Sequence, residues 1–397
     1  YDIKTDEYIS IHLYRIDSVY KDSIIFNQLP TYISNSLDST NYRFQNLKEG
    51  KYLIIALKDI DNNYFFDPFV DKVGFIDSLI TLPKDSLIDF RLFKEETKLI
   101  WDKPTFINSE KITFGYYGKL DFNKIKINSF VPDSVNYIFT KELDKDSINL
   151  WLSKNSFDSL NFNLIERDTT KLVTVKFDRA RDTLIDSLSL DPKTNNVIHL
   201  KEKFKISSNL PIINVQESLI NITDIDSLKV NFRSSISENN DEVEIEFNVS
   251  PSDNYKILFL PNAITDIKGN INDTLQFNLS SQSLEDYGNI FLDVVRNNDS
   301  KYILQLINFD GDIIREYIDI NQNSTYNFEY IRPGKYTFRL IEDINENNIW
   351  DTGNYLKKLS PEPVYYFPTQ LDIRANWDLN EIFDLNQIVK NKDSINQ

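Results

Sequence analysis

The sequence predicts an all-β protein made of tandem antiparallel β-sandwich domains. Three observations lead to this prediction: apolar and polar residues alternate with period two, turn-forming dipeptides separate the alternating segments, and aromatic residues are abundant while glycine is scarce. The 397 residues include 27 Phe and 21 Tyr but only 9 Gly. Aromatic and β-branched residues favour strands, and a chain of this length has room for about three or four domains.

The alternation is clearest in three segments, Lys171–Phe177, Glu242–Val249 and Lys335–Leu340. In the first segment Val173, Val175 and Phe177 alternate with Thr174 and Lys176, and in the other two the apolar and polar side chains fall on opposite faces. This pattern is typical of half-buried strands in antiparallel sheets. One segment differs, because Leu379–Lys390 has the spacing of an amphipathic helix. We therefore expect a C-terminal tail over 379–397 that contains a short helix.

Asp-Ser dipeptides recur between the alternating segments. Both side chains can accept hydrogen bonds from nearby backbone N–H groups and so begin turns, which favours sandwiches with many short strands. Phosphorylation of the serines is the alternative interpretation, and the turn is the stronger one. Nine of these dipeptides begin at Asp17, Asp22, Asp77, Asp85, Asp133, Asp146, Asp158, Asp186 and Asp226.

The first and last parts of the chain repeat each other. Tyr42–Tyr52 aligns with Tyr326–Tyr336 at a constant offset of 284, and the match continues without a gap to Asp67 and Asp351. The two regions are therefore predicted to be copies of one module. The predicted domains are residues 1–95, 96–185, 186–283 and 284–378, followed by the tail.

Composition excludes several classes of function. The net charge of −17 disfavours nucleic-acid binding and docking on anionic lipid. Without cysteine, the chain has no disulfide, thiol nucleophile or zinc-thiolate site. The two histidines, His12 and His199, lie in strand-like segments and are interpreted as structural. No phosphate loop or nucleophile elbow is present, so we expect a protein that is not an enzyme.

The repeated acidic loop is the best candidate for chemistry. Asp59, Asp61, Asn63 and Asp67 place oxygen side chains at positions 1, 3, 5 and 9, and the same positions in the second copy hold Asp343, Asn345, Asn347 and Asp351. Hard oxygen ligands at alternate positions suit Ca²⁺. Position 6 is not glycine and position 12 is not glutamate, so a polar hairpin built of Asx turns is the alternative. No other cofactor is predicted.

The four tryptophans, Trp101, Trp151, Trp350 and Trp377, have two interpretations. They can form stacking platforms for sugars, or they can pack in cores and at domain junctions, which is the commoner fate of such residues. Trp350 falls at the repeat position of Phe66. That correspondence favours a structural role for Trp350.

The repeated motif, aromatic-x-aromatic-x-x-Leu/Ile-x-x-Gly-Lys-Tyr, resembles the carboxypeptidase-regulatory or prealbumin-like sandwich. Pro261–Asn270, with Phe277 beyond it, resembles a bacterial Ig-like domain of the S-layer type. Taken together with Trp350–Tyr355 and Ile373–Trp377, the order of these modules resembles a family of Ig-like surface lipoproteins of Bacteroidota. The last acidic loop is also similar to the calcium loops of serine-aspartate-repeat B domains.

This resemblance implies a lipid-anchored protein on the extracellular face of the outer membrane. The chain starts at Tyr1 in mid-pattern, so we expect a processed or truncated fragment whose lipid-bearing N-terminus lies outside it. The implied role is a scaffolding or accessory subunit that partners an integral outer-membrane protein and other lipoproteins, as in outer-membrane protein assembly or type 9 secretion. The alternative is a carbohydrate-binding or adhesion module.

Overall fold

The computed structural model describes residues 8–17, 20–36, 41–83, 88–142, 145–154, 157–166, 169–178, 187–318, 320 and 324–388. The chain divides into two compact units. One unit combines Tyr1–Thr97 with Tyr287–Gln397, and the other is Lys98–Asp286. Strands dominate both units, which confirms the all-β prediction.

The described part of the first module is built on one five-stranded sheet with the order β2-β1-β3-β4, in which β5 also pairs with β3. Its central strand carries the apolar run Tyr52–Leu57, and every residue of that run is buried. The run is continuous rather than alternating because both faces of the strand are covered by core side chains. The elements are β1 (Ser10–Arg15), α1 (Ile24–Asn27), β2 (Tyr32–Asn35), β3 (Gly50–Lys58), β4 (Lys72–Phe75) and β5 (Ile80–Leu82).

The first half of the second unit packs two sheets around a core that includes Trp101, Phe114 and Phe162. One sheet has the order β10-β11-β8-β6 with β7 beside β8, and the other has the order β13-β12-β9. The strands are β6 (Ile100–Trp101), β7 (Thr105–Asn108), β8 (Lys111–Tyr117), β9 (Ile125–Ile127), β10 (Tyr137–Lys141), β11 (Ser147–Leu152), β12 (Ser159–Glu166) and β13 (Thr169–Lys176), with a 3₁₀ turn at Phe122–Lys124.

The second half of that unit has its own core and three sheets, ordered β14-β16-β20-β19, β15-β23-β21-β18 and β17-β22. Fully buried Asp266 closes the turn before the last strand by accepting hydrogen bonds from the N–H groups of Lys268 and Asn270. The strands are β14 (Leu190–Pro192), β15 (Val197–Ile198), β16 (Phe204–Ser208), β17 (Ile212–Val215), β18 (Ile220–Thr223), β19 (Phe232–Ile236), β20 (Glu242–Phe247), β21 (Asn254–Phe259), β22 (Ile264–Asp266) and β23 (Leu275–Ser281), with 3₁₀ turns at Glu217–Leu219 and Leu284–Asp286.

The last module repeats the sheet of the first, with the order β26-β25-β28-β29 and β30 beside β28. A second sheet, β27-β24-β31, covers its inner face. Between them lies a core that includes Phe328, Phe338 and Phe383. The strands are β24 (Gly288–Val295), β25 (Lys301–Asn308), β26 (Ile313–Tyr317), β27 (Ser324–Ile331), β28 (Gly334–Asp343), β29 (Val364–Tyr366), β30 (Leu371–Ile373) and β31 (Asp378–Asp384).

The prediction of an amphipathic helix over Leu379–Lys390 is wrong for its first half. Residues 378–384 form strand β31, which pairs in parallel with β24 along its whole length, and helical residues are confined to 385–388 in the described part of the tail. The strand is favoured because it pairs its backbone with the exposed edge of β24 and buries Phe383 completely. The last module therefore continues beyond residue 378.

The local predictions hold elsewhere. The three alternating segments lie mainly in β13, β20 and β28, and six of the nine named Asp-Ser pairs are fully described and lie in turns, in bends or at strand starts. The other three pairs, which begin at Asp17, Asp85 and Asp186, include residues outside the described part. None of the described helices is long and apolar enough to cross a membrane.

Candidate functional site

The two acidic loops follow the same backbone path, as the constant repeat offset predicts. Each loop leaves the central strand of its sheet, β3 or β28. Asn62 and Glu346 have φ values of 55° and 60°, and Tyr64 and Asn348 both have φ of 64°. These left-handed conformations are uncommon for residues other than glycine. Their recurrence at the fourth and sixth positions confirms that the loops are equivalent.

In the first loop, Asp59–Asp71, the polar side chains fold back on the loop's own backbone. Asp59 Oδ2 accepts a hydrogen bond from the N–H of Tyr64 at 2.7 Å, and Asn63 Oδ1 accepts one from Phe65 at 2.8 Å. Asp67 Oδ1 accepts the N–H of Phe69 at 2.9 Å. The fourth predicted ligand, Asp61, is exposed at the tip of the loop. The predicted Asx turns are thus present.

In the last loop, Asp343–Glu362, both oxygens of Asp343 accept backbone N–H groups, from Asn347 at 3.0 Å and from Asn348 at 2.7 Å. The side-chain amides of Asn345 and Asn347 both donate to Asp351 Oδ2, at 2.7 and 2.6 Å. The predicted residues of this loop therefore converge, and amide donors offset the charge of Asp351.

Sequence reasoning missed one carboxylate at the base of each loop. Asp71 accepts the N–H groups of Ile60 and Asp67, at 2.9 and 2.8 Å. Glu362 accepts the equivalent N–H groups of Ile344 and Asp351, at 2.8 and 2.9 Å. Four positions separate Asp67 from Asp71, whereas eleven separate Asp351 from Glu362. The ungapped repeat ends before these residues, so only their place just ahead of the next strand could have indicated them.

Two carboxylates of the first loop, Asp59 and Asp71, are buried. Asp71 is only 1% exposed, and burial raises its pKa, with Asp59 and Asp67 nearby adding to the effect. Asp59 is 6% exposed and its Oδ1 has no hydrogen-bond partner. Among the described residues, no three His, Asp or Glu side chains are grouped so that they alone could hold a metal ion. Calcium at either loop stays a prediction.

The last loop also presents an exposed apolar surface, which we call the loop face. It consists of Ile344, Ile349, Trp350, Leu356 and Leu359. Ile344 is 67% exposed, and each of the others is more than 40% exposed. The indole N–H of Trp350 donates to the Glu362 carbonyl at 3.1 Å and so fixes the ring. Five exposed apolar side chains within one loop make this loop a candidate interaction surface, whereas single exposed apolar side chains are ordinary.

The exposure of Trp350 corrects the expectation that it packs as its repeat counterpart does. Phe66 is 3% exposed, whereas Trp350 is 43% exposed. Phe66 lies against α1, with its N–H bonded to the carbonyl of Ile25 and its ring 5.4 Å from that of Phe26. In the last module, the strands that correspond to β1 and β2 are joined by the four-residue turn 309–312, so the cover over Phe66 has no counterpart there.

The last loop is seven residues longer than the first, and its segment Thr352–Leu359 enters the first module. We call it the docking segment. Tyr355 is fully buried in the first module's outer core and packs 5.4 Å from the ring of Phe75. Its N–H donates to Glu95 Oε1 at 2.5 Å, and Lys358 pairs with Asp22 at 2.6 Å. Tyr355 of the last module therefore forms part of the core of the first module.

A shallow pocket of about 450 Å³ lies at the opposite end of the last module. It is lined by Asn308, Phe309, Asp310, Gly334, Lys335 and Tyr336. Phe309 is 81% exposed. Trp377, which is also exposed, follows the strand that pairs with Gly334, and the Arg374 guanidinium lies 5.0 Å from its ring centre. Aromatic rings and polar groups thus share this end of the sheet.

The remaining aromatic and histidine candidates are structural. Trp101 is buried in a core, and the indole N–H of Trp151 donates to the Thr140 hydroxyl at 2.9 Å. Burial lowers the pKa of His12 to about 4, and its ring nitrogens contact the hydroxyls of Ser10 and Tyr14. His199 is buried and accepts a hydrogen bond from the N–H of Lys201 at 3.0 Å.

No protein-family model and no curated protein matches the chain. Among solved structures, a fragment of Escherichia coli alpha-2-macroglobulin is 10% identical with a TM-score of 0.24 and covers 47% of this chain and 90% of its own. The surface protein SGBP-B of a Bacteroides ovatus mixed-linkage glucan utilization locus is 10% identical with a TM-score of 0.20, over 93% of this chain and 90% of its own.

The Bacillus cereus major pilin BcpA is 11% identical with a TM-score of 0.18, over 63% of this chain and 94% of its own. Values this low carry no argument about function.

Proposed function

We propose that this chain is a non-catalytic cell-surface subunit that scaffolds an outer-membrane protein complex, such as one for outer-membrane protein assembly or type 9 secretion. The observation that carries the proposal is the loop face, five exposed apolar side chains carried by one loop of the last module. An integral membrane partner would bury this surface. The Bacteroidota lipoprotein resemblance supplies the location, at the outer membrane through an N-terminal lipid.

The rigidity of the platform supports this role. Docking of Tyr355 into the first module holds the base of the loop face in place, because the docking segment includes Leu356 and Leu359. A binding surface on a fixed scaffold loses little conformational entropy when a partner associates. Two packed modules of this kind are suited to holding a partner in one orientation.

Affinity purification of the tagged protein from detergent-solubilised membranes of the producing cell tests the proposal. We expect an integral outer-membrane protein to co-purify with the wild type and to be lost from Ile344→Asp and Trp350→Asp variants. Ile60→Asp is the matched control, since Ile60 occupies the repeat position of Ile344 and is also exposed, at 53%. A monodisperse protein without a partner, or equal recovery from all variants, would contradict the proposal.

Carbohydrate binding is the second candidate, and the pocket at the opposite end of the last module favours it. Exposed Phe309 offers a stacking surface, and Asn308, Asp310 and Lys335 offer hydrogen-bonding groups beside it. A glycan-array screen of the wild type and the Phe309→Ala variant separates the candidates. Binding that disappears in Phe309→Ala but persists in Trp350→Asp supports the second candidate, and a blank array rejects it.

A further inference from the structure

The Asp-Ser pairs belong to a longer repeated signature. Asp is followed by Ser or Thr at sixteen positions, and at twelve of these the third residue is Leu, Ile or Val. Glu is followed by Ser or Thr at only two positions, Glu96 and Glu217. We call Asp-Ser/Thr-Leu/Ile/Val the hydroxyl tripeptide. It recurs from one end of the chain to the other, in modules of different sequence.

Turn formation does not explain the hydroxyls of this signature. In the turn after β18, Asp224 Oδ1 accepts the N–H groups of Asp226 and Leu228, at 3.0 and 2.8 Å. The side chains of Asp226 and Ser227 make no hydrogen bond to any described residue. Ser23 lies at the N-cap of α1, yet its side chain makes no cap bond. The pairs thus lie where the chain turns, but other groups hold these turns.

Five described tripeptides present an exposed hydroxyl that makes no hydrogen bond to another described residue. In β12, Leu160 is fully buried, so the preceding Ser159 lies on the opposite, exposed face of the strand. Leu228 is 62% exposed, so core packing does not account for every apolar third residue. The five hydroxyls belong to Ser78, Ser134, Ser159, Ser227 and Thr274.

An exposed hydroxyl without a partner is available for covalent modification by an enzyme that reads the residues beside it. A phosphate adds about −1.5 to −2 charge and is disfavoured next to a carboxylate, here in a chain whose net charge is already −17. A neutral sugar adds no charge and needs open space at the surface, which these five positions have. Charge and exposure therefore favour a sugar over a phosphate.

We propose that the hydroxyl tripeptide is a signal for O-glycosylation and that the five exposed hydroxyls carry O-linked sugars. The catalyst is a separate glycosyltransferase of the producing cell, and the donor is a phosphate-activated sugar. The Ser or Thr Oγ forms a bond to the anomeric carbon of the donor, and the bond from that carbon to the phosphate oxygen breaks. Its electron pair leaves with the phosphate, and the hydroxyl proton passes to a base of the transferase. This modification does not depend on which partner the loop face binds.

Three other serines of the chain are matched controls, because each lacks one requirement. Ser147 belongs to a hydroxyl tripeptide but is 8% exposed and donates a hydrogen bond to Glu142 Oε2 at 2.7 Å. Ser218 is exposed and precedes a leucine, but it follows Glu217 rather than an aspartate. Ser300 follows an aspartate but precedes a lysine. We expect all three to stay unmodified.

Peptide mass spectrometry of the full-length chain purified from the producing cell tests the proposal, with electron-transfer fragmentation to locate each modified oxygen. We expect mass increments of whole sugar residues on the five exposed hydroxyls and none on the three control serines. The same chain made by cell-free translation without a sugar donor should carry none. Phosphate on the five positions, unmodified hydroxyls, or sugars on the control serines would each overturn the proposal.

Variants in the turn after β18 test the signal itself, because the side chains of Asp226 and Ser227 are not bonded to the fold and Leu228 is exposed. Asp226→Glu and Leu228→Lys keep the hydroxyl but reproduce the sequences around the control serines. Ser227→Asn removes the hydroxyl and suits the left-handed φ of 62° at this position. We expect the sugar at residue 227 to be lost in all three variants, while Thr274 stays modified. Unchanged modification of Ser227 in Asp226→Glu and in Leu228→Lys would overturn the proposed signal.

Discussion

The first and last modules each have a five-stranded sheet of the same strand order, and their acidic loops follow the same backbone path. They differ in what lies on the outer face of the central strand. In the first module, Leu53, Ile55 and Leu57 point outward and are buried under α1, Phe66 and Tyr355. In the last module, the same repeat positions hold Thr337, Arg339 and Ile341. There Arg339 Nε donates a hydrogen bond to Gln305 Oε1 at 2.5 Å, so polar side chains on that face are hydrogen-bonded to each other.

This difference shows how a duplicated module can acquire a new role without changing its backbone. The apolar outer face of the first module must be shielded from water. Tyr355, in the longer loop of the last module, packs on that face and shields part of it. The last module has a more polar outer face, and in its described residues only the four-residue turn 309–312 stands where the first module has α1, so the side chains of the loop face stay exposed. One copy thus has a covered outer face, and the other carries the surface at which we propose that a partner binds.

The largest expected effect comes from removing the contact that joins the two copies. Tyr355→Ala should lower the free energy of unfolding of the first module by about 3–4 kcal/mol, as for other large buried side chains replaced by alanine. Tyr355→Phe should cost less than about 0.5 kcal/mol, because the buried hydroxyl has no hydrogen-bond partner. Hydrogen exchange of β1 and β3 in increasing urea measures both effects.

The neighbouring residue provides the control for this experiment. Leu356 is 55% exposed, so Leu356→Ala should change the unfolding free energy by less than about 0.5 kcal/mol. Equal costs for Tyr355→Ala and Leu356→Ala would show that the docking segment does not stabilise the first module.

A second prediction compares the repeat pair Phe66 and Trp350. Phe66→Ala should cost about 3 kcal/mol of unfolding free energy, because the ring is 3% exposed under α1. Trp350→Ala should cost about 1 kcal/mol, because 43% of the residue is in contact with solvent. Urea unfolding of the two variants measures the difference. Similar costs would mean that the two loops are covered alike.

The smallest effect concerns Glu95, the acceptor for the docking segment. Burial raises its pKa above the usual 4.5, while the hydrogen bond from Tyr355 opposes the shift. The folded state therefore holds the proton more tightly than the unfolded state, and stability falls as pH rises from 4.5 through the raised pKa. Replacement by glutamine removes this dependence.

Thermal unfolding between pH 4 and pH 7 tests this prediction. Relative to the wild type, Glu95→Gln should gain stability with rising pH across that window. Asp22→Asn is a useful comparison, since Asp22 lies at the same junction but pairs with Lys358. A constant difference between Glu95→Gln and the wild type at all pH values would contradict the prediction.

Much of this fold follows from local sequence. The alternating segments lie in strands because each strand exposes one face, and the constant offset of 284 carries equivalent dihedral angles from Asn62 to Glu346. The run Tyr52–Leu57 also indicates a strand covered on both faces. The sequence likewise predicted that the acidic loops bind calcium, the first more tightly because it offers three carboxylates and the last two, and this stays a prediction.

The helix predicted at Leu379–Lys390 shows why local patterns are insufficient. Helical spacing was present, but the open edge of β24 provided backbone partners along all of β31. The sequence did not predict the roles of Asp71 and Glu362 for a related reason. Each is defined by the N–H groups that it accepts from residues up to eighteen positions away.

The sequence by itself determined the strands, the duplicated loops and the absence of cysteine chemistry, because these depend on side-chain type, short-range spacing and composition. Only the tertiary structure decided that Tyr355 is buried in the other module, that Trp350 is exposed and that Asp59 keeps an unpartnered oxygen. These properties depend on which distant segments come together. Burial and hydrogen bonding are set by the assembled neighbours, and residues far apart in the chain supply them.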